Sequence, residues 1–251
     1  MPCWPYGGKF ACDMLKRNLL CLALLAAWAA PAFHLRAATA DDPFARWKKE
    51  IAAFESADAK QPPAKGAILF IGSSSIRLWK TLAQDFPQHR VINRGFGGSQ
   101  IVDSTHFADR IVFPCAPRQI VMSAGANDIH AGKSPEQVAS DFLAFAAKVH
   151  SRLPEVPIAF ISMAGNPARW KEIEQVRAAN ALIKALCEAD PKLTYINTAA
   201  AMLGSDGRPR PDIFVPDRLH MNAERHKLWT HDIAPHLTPE PKPAVSAAGR
   251  N

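Results

Sequence analysis

A chain of 251 residues, 48% hydrophobic and 21% charged, is long enough for one buried core and short for two full domains. Its charged fraction is that of a folded soluble protein. The net charge is +7, and residues 1–40 carry a good part of it, with Lys9, Lys16, Arg17 and Arg36 against Asp13. The remaining excess is spread thinly. No Lys/Arg run with interleaved aromatics stands anywhere, so nucleic acid is not expected as a partner.

Residues 1–40 read as a signal peptide with an N-terminal extension. Lys16 and Arg17 form a positive n-region, Leu19 to Ala32 is almost wholly apolar yet short for a bilayer, and Ala38-Thr39-Ala40 is a small-x-small site. Pro2, Pro5 and Gly7-Gly8 precede the basic pair and are unlike a signal start, which points to Met14 as initiator. Cleavage near Ala40 would release a secreted or periplasmic protein with no stable membrane insertion; an uncleaved anchor is the alternative. Cys3, Cys12 and Cys21 fall in the segment to be removed, leaving Cys115 and Cys187. These either pair in an oxidising compartment or serve as core thiols. No CxxC or His-rich spacing suggests a metal, and no cofactor is expected.

Residues 41–63 hold an amphipathic helix and a linker. Phe44, Trp47, Ile51 and Phe54 recur at helical spacing before Gln61-Pro62-Pro63 breaks the pattern. Residues 64–238 form the main domain, with strand-length apolar runs at Ala67–Ile71, Val91–Ile92, Gln119–Ser123, Ile158–Ser162 and Leu193–Ile196. Helical patterns lie between them: Ile76, Trp79 and Leu82 on one helix, then Val138–Leu153, Ile173–Leu186 and a last helix from Ala223. Strands alternating with helices argue for an α/β fold, an open parallel sheet covered on both faces, with its site at the carboxyl ends of the strands. Residues 239–251 are rich in Pro and Ala and read as a disordered tail.

Four short blocks carry possible chemistry. In Gly72-Ser73-Ser74-Ser75 a buried strand runs into a turn and a helix, which presents a serine at the strand end; alone, the turn also reads as a helix cap. The glycines of Asn93-Arg94-Gly95-Phe96-Gly97-Gly98-Ser99 let backbone N–H groups face a ligand, or simply make a flexible turn. The pattern is not a dinucleotide-binding fingerprint. In Gly125-Ala126-Asn127-Asp128 the Asn127 amide can donate to an anion, or the pair can cap a helix. In Asp217-Arg218-Leu219-His220 a carboxylate and an imidazole three residues apart can face each other, or sit idle at the surface. The remaining histidines, and Asp103, Asp109 and Asp141, read as solvated or structural.

In this order and setting, the four blocks resemble those of the SGNH/GDSL hydrolases, over about Ala67 to Leu237. The runs Phe70–Trp79 and Asn93–Ser99 look closest to the branch resembling platelet-activating-factor acetylhydrolase subunits. The resemblance implies a three-layer α/β/α domain with a five-stranded parallel sheet of flavodoxin-like order. It implies Ser74 as nucleophile, His220 as base and Asp217 as its orienting acid. An oxyanion hole would come from the N–H groups of Ser74 and Gly98 and the Asn127 side chain. One departure stands out: the family's Gly-Asp-Ser-Leu block here has Ser73 in place of the aspartate. Arg169 and Trp170, on the same rim after the fourth strand, are the expected substrate contacts, with a structural loop as the other reading. The expected activity is hydrolysis of short-chain or acetyl esters on a small molecule, an acylated glycan or a lysophospholipid. An O-acetyltransferase of envelope glycans and a non-catalytic glycan-binding relative are the alternatives.

Overall fold

Five parallel strands lie in the order β2-β1-β3-β4-β5, and the computed structural model describes residues 42–240 of the chain. The leader expected over 1–40, with the question of Met14, lies outside the described residues, as does 241–251. The strands are β1 (Ile68–Gly72), β2 (Val91–Gly95), β3 (Gln119–Ser123), β4 (Ile158–Ile161) and β5 (Leu193–Ile196). Nine helices connect or flank them among the described residues: α1 (Lys48–Lys60), α2 (Ser74–Arg77), α3 (Leu82–Asp85), α4 (Ile101–His106), α5 (Ala108–Ile111), α6 (Ala126–His130), α7 (Pro135–His150), α8 (Ile173–Ala189) and α9 (Ala223–Ile233).

Alternation along β1 builds the three layers. Leu69 and Ile71 point into one core with Ile51 of α1, Ile101 of α4, Phe142 and Phe145 of α7 and Ile183 of α8. Ile68 and Phe70 point into the other with Ile76 of α2, Leu82 of α3, and Trp229 and Ile233 of α9. All five residues of β1 are buried, as a strand covered on both faces must be. Each fully buried large side chain contributes about 1.5–3 kcal/mol.

Several boundaries differ from the sequence reading. β2 continues through Asn93-Arg94-Gly95, residues assigned to a loop, because they pair in register with Phe70, Ile71 and Gly72 of β1; the buried Arg94 guanidinium is paired with Asp58 of α1 at 2.6 Å. That pair and the burial of Trp47 and Ile51 dock the N-terminal helix into the main core. The helix drawn through Ile76, Trp79 and Leu82 is two short helices, α2 and α3. The tail expected to be disordered from 239 begins docked: the Glu240 carboxylate accepts from the Arg90 N–H at 2.8 Å and pairs with Arg118 at 2.8 Å. Cys115 and Cys187 are free and buried, so they are core thiols, and burial pushes both up, Cys187 to about 11. Among the described residues no helix is long and apolar enough to cross a membrane.

Candidate active site

The carboxyl ends of β1, β2 and β3 meet the loop before α9 around one cleft. At Gly72 the backbone turns with φ +136°, and a Cβ there would lie 2.0 Å from the Ser123 carbonyl oxygen. Only glycine fits, so β1 and β3 stay in register to their last residue. The Ser73 N–H donates to that same carbonyl at 3.0 Å. Ser73 is then the extended N-cap of α2, which makes Ser74 the first helical residue. An N–H at that position has no intrahelical acceptor.

The Gly72 carbonyl locks the next loop in place. It accepts from the Phe96 N–H at 2.9 Å and from the Ser99 hydroxyl at 3.2 Å. Gly98, between them, takes φ +76° over the edge of Trp47.

Asn127, the second residue of α6, joins three segments. Its Nδ2 donates to the Ser99 carbonyl at 3.0 Å, and its Oδ1 accepts from Arg169 Nη1 at 3.0 Å. These two bonds define which way the amide faces and leave one Nδ2 proton unspent. The next residue, Asp128, is fully buried; it accepts from the Ile101 N–H and from Lys133 at 2.9 Å, and burial raises its carboxyl above the usual range. Lys133 also bonds Asp141 at 2.7 Å. This buried network ties α6 to the start of α4, and with it Asn127 to the Gly98 loop.

Asp217 and His220 face each other across a tight turn. Asp217 Oδ2 lies 2.6 Å from His220 Nδ1, while Oδ1 accepts from the N–H groups of Leu219 and His220, each at 2.9 Å. The backbone bond from His220, then the imidazole, then the Leu219 N–H hold the Asp217 carboxyl down to about 2. Arg218 pays for the turn with a left-handed φ of +61°, and its carbonyl accepts from the Ala168 N–H at 3.2 Å.

Ser73, Ser74, Ser75, Gly98, Asn127 and His220 all line a cleft of about 420 Å³, with Asp217 behind His220. Ser74 and His220 face this common space without a direct hydrogen bond, a looser arrangement that unliganded nucleophile–base pairs often show. Arg169 also lines the cleft. Trp170 does not: it packs over Gly165, where a Cβ would come within 2.7 Å of its ring, with the guanidinium carbons of Arg177 and Arg208 each 5.9 Å from it. The structure therefore does not bring Trp170, expected as a substrate contact, to the wall of this cleft. The sequence reading missed Glu50, Arg77, Arg225 and Trp229, which also line the cleft. For the last two a signal existed: they are four residues apart on the helix that follows the Asp-x-x-His block, and so share a face.

A flavodoxin-ordered parallel sheet with a serine turn, a glycine loop, an asparagine and an Asp-His pair around one cleft defines the SGNH hydrolase class of three-layer α/β/α proteins. The GDSL-like lipase/acylhydrolase family model matches residues 70–228, more than half of the chain, and the chain belongs to that family. It is a carboxylic ester hydrolase by that membership. No curated protein matches it by sequence. Among solved structures it is similar to a Streptococcus pneumonia protein described under platelet activating factor, at 16% identity and TM-score 0.68, covering 77% of this chain and 94% of that one. It is similar to a GDSL-like lipase from Bacteroides thetaiotaomicron at 18% identity and TM-score 0.61, covering 77% and 96%. It is also similar to an acetyl-xylooligosaccharide esterase from Geobacillus, at 16% identity and TM-score 0.55, covering 68% and 94%.

Proposed function

We propose that the chain is a serine esterase of short acyl chains, acting outside the cytoplasm after cleavage near Ala40, with Ser74, His220 and Asp217 as its triad. The observation that carries this is the 2.6 Å Asp217–His220 contact beside a cleft that both His220 and Ser74 line. Ser74 Oγ attacks the ester carbonyl while His220 Nε2 takes its proton; Asp217 holds the other ring nitrogen and stabilises the imidazolium without taking the proton itself. The carbonyl oxygen, now negative, is received by the N–H groups of Ser74 and Gly98 and the unspent Nδ2 proton of Asn127. His220 returns the proton to the leaving alcohol, and water releases the acyl group by the same steps in reverse roles. Arg169, bonded to Asn127 Oδ1, positions that amide. The modest cleft and the acetyl esterase among the structural relatives favour acetyl and other short esters. The leader pattern at Lys16-Arg17 and Leu19–Ala32 is what supports secretion.

A serine-reactive phosphonate is expected to add to the parent protein at Ser74, and p-nitrophenyl esters are expected to turn over best at the shortest acyl lengths. A folded protein that neither labels nor hydrolyses any chain length would sink the esterase reading. Acyl transfer to an added alcohol in preference to water would replace it with a transferase. Asn127→Ala is expected to lower kcat by roughly 10²–10³, about 3–4 kcal/mol of transition-state stabilisation, with a smaller change in KM. An effect confined to KM would remove Asn127 from the oxyanion hole.

A further inference from the structure

Arg225 is the third residue of α9, five positions after His220, and only 5% of it is exposed. Its backbone N–H is taken up by the Asn222 side chain at 3.2 Å. Its guanidinium is not taken up: Nε has no hydrogen-bond partner, and the side chain forms no ion pair among the described residues. Two ring faces accompany it, Phe214 at 4.8 Å and Trp229 at 5.8 Å from the guanidinium carbon. Such faces attract a cation but accept none of its in-plane N–H groups. Burial lowers Arg225 to about 9, which leaves it charged at neutral pH. A buried cation without a counter-charge is a costly arrangement that proteins rarely keep without use.

The second observation is Trp229, one helical turn further on. It is 2% exposed, and its indole N–H is also buried without a partner. Both residues line the cleft that holds Ser74 and His220. The other charged residues on its wall are Arg77, Arg169 and the single acid Glu50. Arg169 is already engaged with Asn127. The cleft is thus cationic, and its most buried cation has no ion-pair partner among the described residues.

We propose that Arg225 and Trp229 form an anion subsite of the ester-binding cleft, selecting esters whose acyl or alcohol part carries a carboxylate or phosphate group. The planar guanidinium fork suits two oxygens of such a group, and the Trp229 ring lies beside that guanidinium at 5.8 Å. The inference rests on the esterase reading for its substrate, while the anion site itself can be measured without turnover.

The test compares the full chain with Arg225→Met and Arg225→Lys on matched ester pairs. p-Nitrophenyl hemisuccinate against p-nitrophenyl butyrate places a carboxylate on the acyl side. The acetyl ester of glycerol phosphate against monoacetylglycerol places a phosphate on the alcohol side. The parent is expected to favour the charged member of at least one pair, which also tells which source supplies the anion. Arg225→Met should lower that charged-to-neutral ratio of kcat/KM roughly 10–100-fold, the range for a charge-assisted hydrogen bond, and Arg225→Lys should recover part of it. A ratio that does not move, or equal losses on both members, would overturn the proposal. In parallel, succinate and inorganic phosphate are added to Ser74→Ala and to Ser74→Ala/Arg225→Met, with melting temperature as the readout. Stabilisation of the first but not the second supports the anion site even if no ester is hydrolysed, in which case the esterase reading alone fails. Hydrolysis of neutral esters with no anion effect in either assay leaves the esterase standing and removes the subsite. Arg225→Met should also melt no lower than the parent, because it removes an unpaired buried charge; a protein that falls apart on this change would assign Arg225 a structural role.

Discussion

Ser74→Ala and His220→Ala are each expected to cut kcat by about 10⁶, and the double substitution to cost no more than either alone. The reason is that the two side chains perform one step. Without the imidazole the hydroxyl keeps its proton and is a poor nucleophile; without the hydroxyl the imidazole has nothing to activate. Residual turnover would come from substrate binding and the oxyanion donors, which neither change removes. The neighbouring serines give the result its meaning, since Ser73 and Ser75 line the same cleft. Ser73 is the N-cap of α2, and its carbonyl accepts from the Ile76 and Arg77 N–H groups, both at 3.1 Å, bonds that Ser73→Ala retains. Ser73→Ala and Ser75→Ala should therefore keep most of the activity. The measurement is kcat and KM on a short p-nitrophenyl ester for all five variants. An inactive Ser73→Ala beside an active Ser74→Ala would move the nucleophile by one residue.

What the sequence made legible follows from how locally each feature is encoded. The β1 run Ile68-Leu69-Phe70-Ile71 and the glycine after it needed no partner to be read, because a strand buried on both faces is apolar at every position. The Asp217–His220 pair was legible for a similar reason: three residues of separation on a turn bring the groups together almost regardless of what surrounds them. β2 was cut short because Arg94 looks like solvent-facing sequence; its pairing with Ile71 of β1 makes it a strand residue, and Asp58, thirty-six residues away, meets its buried charge. Trp170 was placed on the rim by its neighbourhood in the chain. Its ring is turned by the space above Gly165, which no local pattern announces. Arg225 is the extreme case, because a charged residue on a surface-like helix reads as solvated until the cleft wall closes over it. Asn127 lies between these limits. Its position at the end of β3 was readable, while its bonds to Ser99 and Arg169, which set the direction of the amide, come from two other loops.

Asp217→Asn is expected to lower kcat by about 10⁴, with KM little changed, since Asp217 touches His220 and lies outside the cleft lining. The geometry gives the mechanism. Oδ1 of Asp217 accepts two backbone N–H groups, and an asparagine would satisfy them with its carbonyl oxygen. Its NH2 would then point at His220 Nδ1, now 2.6 Å from the carboxylate, and donate where the carboxylate accepts. The ring would be driven to the tautomer with its proton on Nε2, facing Ser74 and unable to act as base. The turn should survive, so the loss is one of chemistry rather than folding. The acid behaviour of the parent follows from the same contacts. Because Asp217 is held down to about 2, it stays ionised well into acid. The fall of kcat/KM in acid is then first order in protons and belongs to the imidazole. A carboxyl pKa depressed in the folded state stabilises that state above the ordinary carboxylate range, and this stabilisation is lost as pH falls towards 2. Asp217→Asn should therefore lose activity at every pH while its melting temperature loses that part of the acid dependence. A pH–rate profile and melting curves at neutral pH and near pH 3 check both. A loss of tenfold or less in kcat, with the tautomer unchanged by NMR, would mean that His220 is oriented by something other than Asp217.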